Sequence, residues 1–191
     1  VEDVTHAVAQ ARSYLPAGPA TARAQVLEHA ALLIRDRLED FARVIAMEAA
    51  KPLTQARSEV ARCVDTLVYS AIEAGTLAGE IVPMEGTEAG AGKLAMVLRE
   101  PVGVIGAIAP FNFPLNLVAH KVGPAIAAGR PVLLKPSPQT PLSALGLAAV
   151  LDEAGLPTGM LHVLPGDVEV GSAIVTHPDV ALVSFTGSDR V

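Results

Sequence analysis

Two hydrophobic periods divide the chain. Up to about residue 79, apolar positions recur at helical spacing. Val4, Ala7, Val8 and Ala11 mark a short amphipathic helix within residues 2 to 14, closed by Pro16, Gly18 and Pro19. Val26, Leu27, Ala30, Leu33, Ile34, Leu38, Phe41, Val44 and Ile45 predict one longer helix ending at Lys51-Pro52. Pro52 suits the first turn of a third helix, whose face is Val60, Cys63, Val64, Leu67, Val68, Ala71 and Ile72. From residue 102 the pattern changes to short apolar runs separated by helical segments. The run from Val102 to Ala109 suits a buried strand. A helix carrying Leu115, Leu117, Val118, Val122 and Ile126 follows and closes at Gly129. Pro131 to Leu134 is a second strand ending at Lys135. Thr140 as N-cap and Pro141 at the first helical position open a helix that ends at Gly155. Leu161 to Leu164 is a third strand, a helix runs through Val170, Ala173, Ile174 and Val175, and Val180 to Val183 is a fourth strand. Three crossover helices between four short apolar strands predict an α/β fold with a parallel, doubly wound sheet.

Between the two halves, Ile81 to Gly92 reads as a loop, and Lys93 to Glu100 reads as a separate strand. Composition narrows the function classes. With 191 residues, 51% of them hydrophobic, the chain can bury the core of one or two domains. A net charge of −6 and 3% aromatic residues argue against nucleic-acid binding. The longest apolar stretches are broken by proline, glycine and charge, so no membrane span is expected. The first residues do not read as a signal peptide, and one cysteine excludes an internal disulfide framework. A reducing compartment, the cytoplasm, is expected. The chain does not begin with Met, and Thr186 to Val191 read as the start of a helix. A fragment of a longer protein is therefore expected.

In parallel α/β sheets, ligands bind beyond the carboxyl ends of the strands. Asn112 follows the first strand and Lys135 ends the second. An amide between Phe111 and Phe113, followed by Pro114, is expected to be fixed and partly dry. A lysine closing a buried strand suits an anion or a hydroxyl. A turn asparagine and a solvated lysine fit the same residues. The glycine fingerprint for dinucleotides is missing, because Gly103 and Gly106 lie within the first strand at the wrong spacing. From the residues alone this is a Rossmann-like sheet with an open choice of ligand. Cys63, inside a helical apolar stripe, reads as a small buried hydrophobe rather than a nucleophile. The five histidines show no metal-ligand spacing, and no metal site is expected.

Three motifs in order, Pro110 to Pro114, Leu134 to Ser137 and Ser184 to Ser188, together resemble the aldehyde dehydrogenase superfamily. The resemblance runs from about residue 20 to the end and implies that NAD or NADP binds without the glycine fingerprint. It assigns Ile108, Ala109, Pro110 and Phe111 to the cofactor cleft, Lys135 to the adenosine ribose and Gly166 to the adenine side. Gly187 and Ser188 would form a helix-opening turn facing the pyrophosphate, where free N–H groups favour an anion. Asn112 matches the oxyanion-hole asparagine, which would stabilise the negative oxygen of a cysteine thiohemiacetal. The nucleophilic cysteine and the glutamate base of that scheme are expected beyond residue 191, so this chain alone is not expected to oxidise aldehydes. Residues 1–92 would be the helical part of the coenzyme-binding domain, 93–100 a subunit-association arm, and 101–191 the truncated coenzyme-binding region, with the catalytic domain absent. A small-molecule aldehyde and a homodimer or homotetramer are the implied partners. Many NAD-preferring members carry glutamate where this chain has Pro138, so Pro138, with Ser137 and Lys135, implies tolerance of NADP. Two alternatives stand beside this reading: a coenzyme A-acylating dehydrogenase and a non-catalytic dinucleotide-binding module.

Overall fold

The computed structural model describes residues 2–14 and 18–188. Pro16 and the last three residues of the expected C-terminal helix start lie outside the described residues. Four helices come first: α1 (Glu2–Arg12), α2 (Ala20–Asp36), α3 (Leu38–Glu48) and α4 (Leu53–Thr76). A small antiparallel pair follows, β1 (Glu80–Val82) with β2 (Ala95–Val97). The remainder alternates: β3 (Val104–Ile108), α5 (Asn116–Ala127), β4 (Val132–Lys135), α6 (Leu142–Glu153), β5 (Leu161–Val163), α7 (Val168–Thr176) and β6 (Val180–Phe185). The four later strands form one sheet in the order β5-β4-β3-β6, and every pair is parallel. This is the α/β, doubly wound arrangement that the alternating pattern predicts.

Side chains alternate across the sheet with period two, as a pleated strand requires. Ile105, Ala107, Val132 and Leu134 face the large core made with α2 to α6. Val104 and Leu133 face the opposite way, onto Val4, Val8 and Ala11 of α1 and Ile174 of α7. Both faces of a parallel sheet are thereby covered. Gly129, at φ +72°, closes α5, and its N–H donates to the Ile126 carbonyl at 2.8 Å while Arg130 N reaches Ala125 O at 2.8 Å. These bonds satisfy carbonyls that the helix end leaves open. No helix among the described residues is long and apolar enough to cross a membrane.

The structure departs from the sequence reading in several places. The helix expected across Val26 to Ile45 is broken at Arg37, which separates α2 from α3. Neither proline nor glycine marks the break, so periodicity could not show it. Arg37 instead pairs at two points with Glu153 at the end of α6, at 2.8 and 2.6 Å. Ile81 and Val82 belong to β1 rather than to a loop, and the strand expected over residues 93–100 shortens to Ala95–Val97. A three-residue strand is too short to show a pattern. Helix α4 ends at Thr76 rather than near Gly79, and Ile72, expected on its apolar face, is exposed. Gly103 lies just before β3 at φ +132°, not within it.

The start of α6 needs a further correction. Thr140 is not its cap: the Thr140 hydroxyl is buried without a hydrogen-bond partner. Glu48, from the end of α3, accepts from Leu142 N at 2.8 Å and Ser143 N at 3.0 Å. A carboxylate at a helix N-terminus satisfies open donors and complements the helix dipole.

Candidate functional site

Strand register decides where the chemistry gathers. Ile108 of β3 pairs with Lys135 of β4 on one side and with Phe185 of β6 on the other. The three strands therefore end level, and the segments after them leave from one edge. The ladder extends one step further, with Ala109 N donating to Lys135 O at 3.0 Å and Thr186 N to Ile108 O at 3.1 Å. Between these segments and α7 lies an open cleft of about 710 Å³. It sits where the strand order reverses, since α5 leads from β3 outward to β4 whereas α7 brings the chain from β5 back to β6 on the other side of β3, the usual ligand crevice of such sheets.

Ile108, Ala109, Pro110, Phe111 and Asn112 line the cleft from β3, and Lys135, Ser137 and Pro138 line it from β4. Gly187 and Ser188 line it after β6. Gly166 is not on its wall. Gly166 packs against α7, where an added Cβ would stand 2.5 Å from Val170 Cγ2. The helix expected to open at Gly187 falls outside the described residues. Gly187 itself has no room for a side chain, because a Cβ would come within 2.5 Å of the Phe185 ring.

Lys135 is 7% exposed, and its stem runs beside Gly171, where an added Cβ would lie 3.5 Å from Lys135 Cδ. Its ammonium has one long bond, to the Pro136 carbonyl at 3.5 Å. Burial lowers its pKa from the ordinary lysine value, against an opposing pull from Asp167. Ser137 is buried and accepts from Gln139 N at 3.3 Å, whereas Pro138 stands exposed at the rim.

Asn112 differs from expectation. It is exposed, and so are Phe111 and Phe113, so the amide is not dry. The turn is nevertheless fixed, because the Asn112 carbonyl accepts from Lys51 Nζ at 2.7 Å. Lys51 also donates to Glu59 at 2.6 Å and lies 4.0 Å over the Phe113 ring.

Sequence reasoning missed several contributors. Asp167, Val168, Gly171, Ser172, Val175 and Thr176 form the α7 wall. Their spacing of three and four residues was a readable stripe, with Gly171 and Ser172 as its small members. Asp167 also lines the cleft, near enough to Lys135 to act on its charge. Lys121 of α5 donates to Thr186 Oγ1 at 2.8 Å and Ser184 Oγ at 3.3 Å, and burial lowers its pKa. Cys63 is fully buried, and burial together with nearby Glu59 pushes its thiol pKa far up, which suits packing and not nucleophilic attack.

Sheet order, level strand ends and an open cleft define a doubly wound parallel α/β domain with a crevice at the ends of its strands. The chain belongs to the aldehyde dehydrogenase family, whose model matches residues 1–191. It is 46% identical over 192 residues to a 3-sulfolactaldehyde dehydrogenase of Priestia aryabhattai, with 100% of this chain and 40% of that protein aligned. Among solved structures, it resembles an NAD-dependent aldehyde dehydrogenase from Sinorhizobium meliloti at TM-score 0.92 and 37% identity, covering 99% of this chain and 38% of that one. It also resembles a glyceraldehyde-3-phosphate dehydrogenase from Methanocaldococcus jannaschii complexed with NADP, at TM-score 0.92 and 37% identity, covering 99% and 42%. The chain thus spans about 40% of the length of the curated relative it matches.

Proposed function

We propose that the complete protein oxidises an aldehyde to a carboxylic acid with a nicotinamide dinucleotide, and that this chain supplies the dinucleotide cleft and one donor to the reacting oxygen. The observation that carries the reading is the placement of Asn112 and Lys135 on one cleft, at the level ends of β3 and β4.

The residues present fit a dinucleotide. The cleft is long enough to be lined from three strand ends and one helix, and its wall is largely apolar at Ile108, Ala109, Pro110, Val168 and Val175. Such a wall suits a flat heterocycle. Lys135, nearly buried and with only the long bond to Pro136 O, has donors left for a ribose hydroxyl or a phosphate. When bound, the dinucleotide supplies the hydride acceptor.

The chain's own residues orient and polarise. Lys135 and Ser137 hold the ribose end. The Asn112 amide donates to the substrate oxygen as negative charge gathers there, a donor whose loss typically lowers kcat by roughly 10²–10³. Either dinucleotide fits the rim: Pro138 brings no carboxylate to a 2′-phosphate, while Asp167, near Lys135, brings one that suits free ribose hydroxyls. The exposed apolar side chains of Ile81, Leu94, Met96 and Leu98 around β1 and β2 suit burial against a second copy in a homo-oligomer.

The test is an assay of the complete protein with small aldehydes, anionic ones such as 3-sulfolactaldehyde included, and either dinucleotide, read by formation of the reduced nicotinamide. Reduction that slows roughly 10²–10³-fold with Asn112→Ala is expected. No reduction with any aldehyde and either dinucleotide would overturn the reading. Replacing Pro138 with Glu is expected to weaken NADP more than NAD.

A further inference from the structure

We infer that Lys51 and Glu59, which do not line the cleft, act together as positioning residues for Asn112. The inference rests on the proposed role of Asn112 as the donor to the reacting oxygen.

The turn from Asn112 to Asn116 is tied to the start of α4 through one ion pair. Glu59 has a fully buried side chain, and each of its oxygens is used. One accepts from Leu115 N at 3.0 Å and Asn116 N at 3.2 Å, at the opening of α5. The other accepts from Lys51 at 2.6 Å. Lys51 then donates to the Asn112 carbonyl at 2.7 Å, and its ammonium lies 4.0 Å above the Phe113 ring. Glu59 thus fixes the end of the turn, and Lys51 fixes its beginning.

This arrangement exceeds what a helix cap requires. Capping α5 needs an acceptor, which Glu59 provides without Lys51. Lys51 contributes a different contact: it holds the carbonyl of the one residue whose amide must meet the reacting oxygen. Asn112 is itself exposed, so no surrounding core holds it. Ala50, at φ 49°, directly follows the C-cap of α3 and takes the left-handed conformation that commonly ends a helix, turning the chain toward Lys51.

The experiment is a double-substitution cycle in the complete protein. Lys51→Met, Asn112→Ala and the pair are compared for kcat, aldehyde KM, dinucleotide Kd and thermal midpoint. Lys51→Met is expected to lower kcat roughly 10- to 100-fold, the cost of slight misplacement of a catalytic group. Dinucleotide Kd should change by less than about twofold, because Lys51 does not line the cleft. Added to Asn112→Ala, Lys51→Met should lower kcat little further, since its effect passes through Asn112. Lys51→Arg, which keeps charge and donors, should recover part of the loss.

Full multiplication of the two losses would overturn the inference, as would an unchanged kcat in Lys51→Met. If Asn112→Ala alone leaves kcat intact, the role of that amide fails and the inference falls with it. If Lys51→Met does not fold, the same cycle with Lys51→Gln, which removes the charge and shortens the reach, decides: a loss absorbed by Asn112→Ala supports positioning, and no loss or an independent one overturns it.

Discussion

Glu48 and Ser143 lie 95 residues apart in sequence, yet the carboxylate of the first accepts from the backbone N–H of the second at 3.0 Å. The same carboxylate accepts from Leu142 N at 2.8 Å and from the Ser143 hydroxyl. One side chain at the end of α3 therefore performs the capping that Thr140 was expected to perform locally. Glu48→Ala should destabilise the protein by about 1–2 kcal/mol, the usual cost of removing a side-chain cap. Glu48→Gln, which keeps an acceptor, should cost less. Denaturant unfolding checks both, and equal stability of Glu48→Ala and the parent would refute the assignment.

That contact shows which parts of the structure were legible. Strands β3 to β6 and their crossover helices follow from local periodicity, because a buried parallel strand and an amphipathic helix leave different patterns in adjacent residues. Asn112 and Lys135 were identifiable because each stands next to the end of such a strand. The groups that hold them were not. Lys51 reaches Asn112 across 61 residues, and Lys121 reaches Thr186 across 65. A single sequence carries no signal for partners so distant. The break at Arg37 was hidden for the same reason, since its partner Glu153 lies 116 residues on. Gly166, which the resemblance assigns to the adenine side, precedes the wall residue Asp167 and packs against Val170, a contact no local pattern announces. The exposure of Asn112 could not be read either, because flanking aromatics suggest burial only if something covers them.

Gly106 tests the packing of β3 against α7. An added Cβ would stand 2.5 Å from Ile174 Cγ2 and 3.2 Å from Val180 Cγ1. Ile174 is fully buried, so it cannot move aside freely. Gly106→Ala should therefore cost about 1–3 kcal/mol, as overpacked cores do. Because α7 also forms a cleft wall, dinucleotide affinity should fall with it. Unfolding midpoints and a binding titration on the same sample would check this, and an unaltered midpoint would exclude the close approach.

His162 on β5 makes stability depend on acid. Burial lowers its pKa from the ordinary histidine value of 6.5, partly opposed by a hydrogen bond between Nε2 and Gly159 O at 3.1 Å. Below the unfolded value the unfolded chain binds more protons than the folded one, so protonation favours unfolding. The contribution of His162 is complete above about pH 6.5 and is lost as pH falls through its lower folded value. Unfolding measured from pH 7.5 down to about pH 5 should show stability decreasing, with a shallower decrease in His162→Gln. Identical slopes in the two proteins would remove His162 as a source.

Lys121 should govern the loop after β6. Its ammonium is withdrawn from water, with Thr186 Oγ1 at 2.8 Å and Ser184 Oγ at 3.3 Å as hydroxyl partners. Burial lowers its pKa from the ordinary lysine value. The next two residues, Gly187 and Ser188, line the cleft. Lys121→Met keeps most of the stem and removes the donors, leaving two hydroxyls without their cation. The loop should loosen, and dinucleotide Kd in the complete protein should rise roughly tenfold, the low end of the about 1.5–3 kcal/mol that hydrogen bonds to charged groups provide. The aldehyde KM need not follow, because Lys121 contacts the β6 loop and not the Asn112 turn. Isothermal titration with NAD and NADP, alongside steady-state kinetics, separates the two. A Kd unchanged in Lys121→Met would mean that the β6 loop keeps its shape without the lysine.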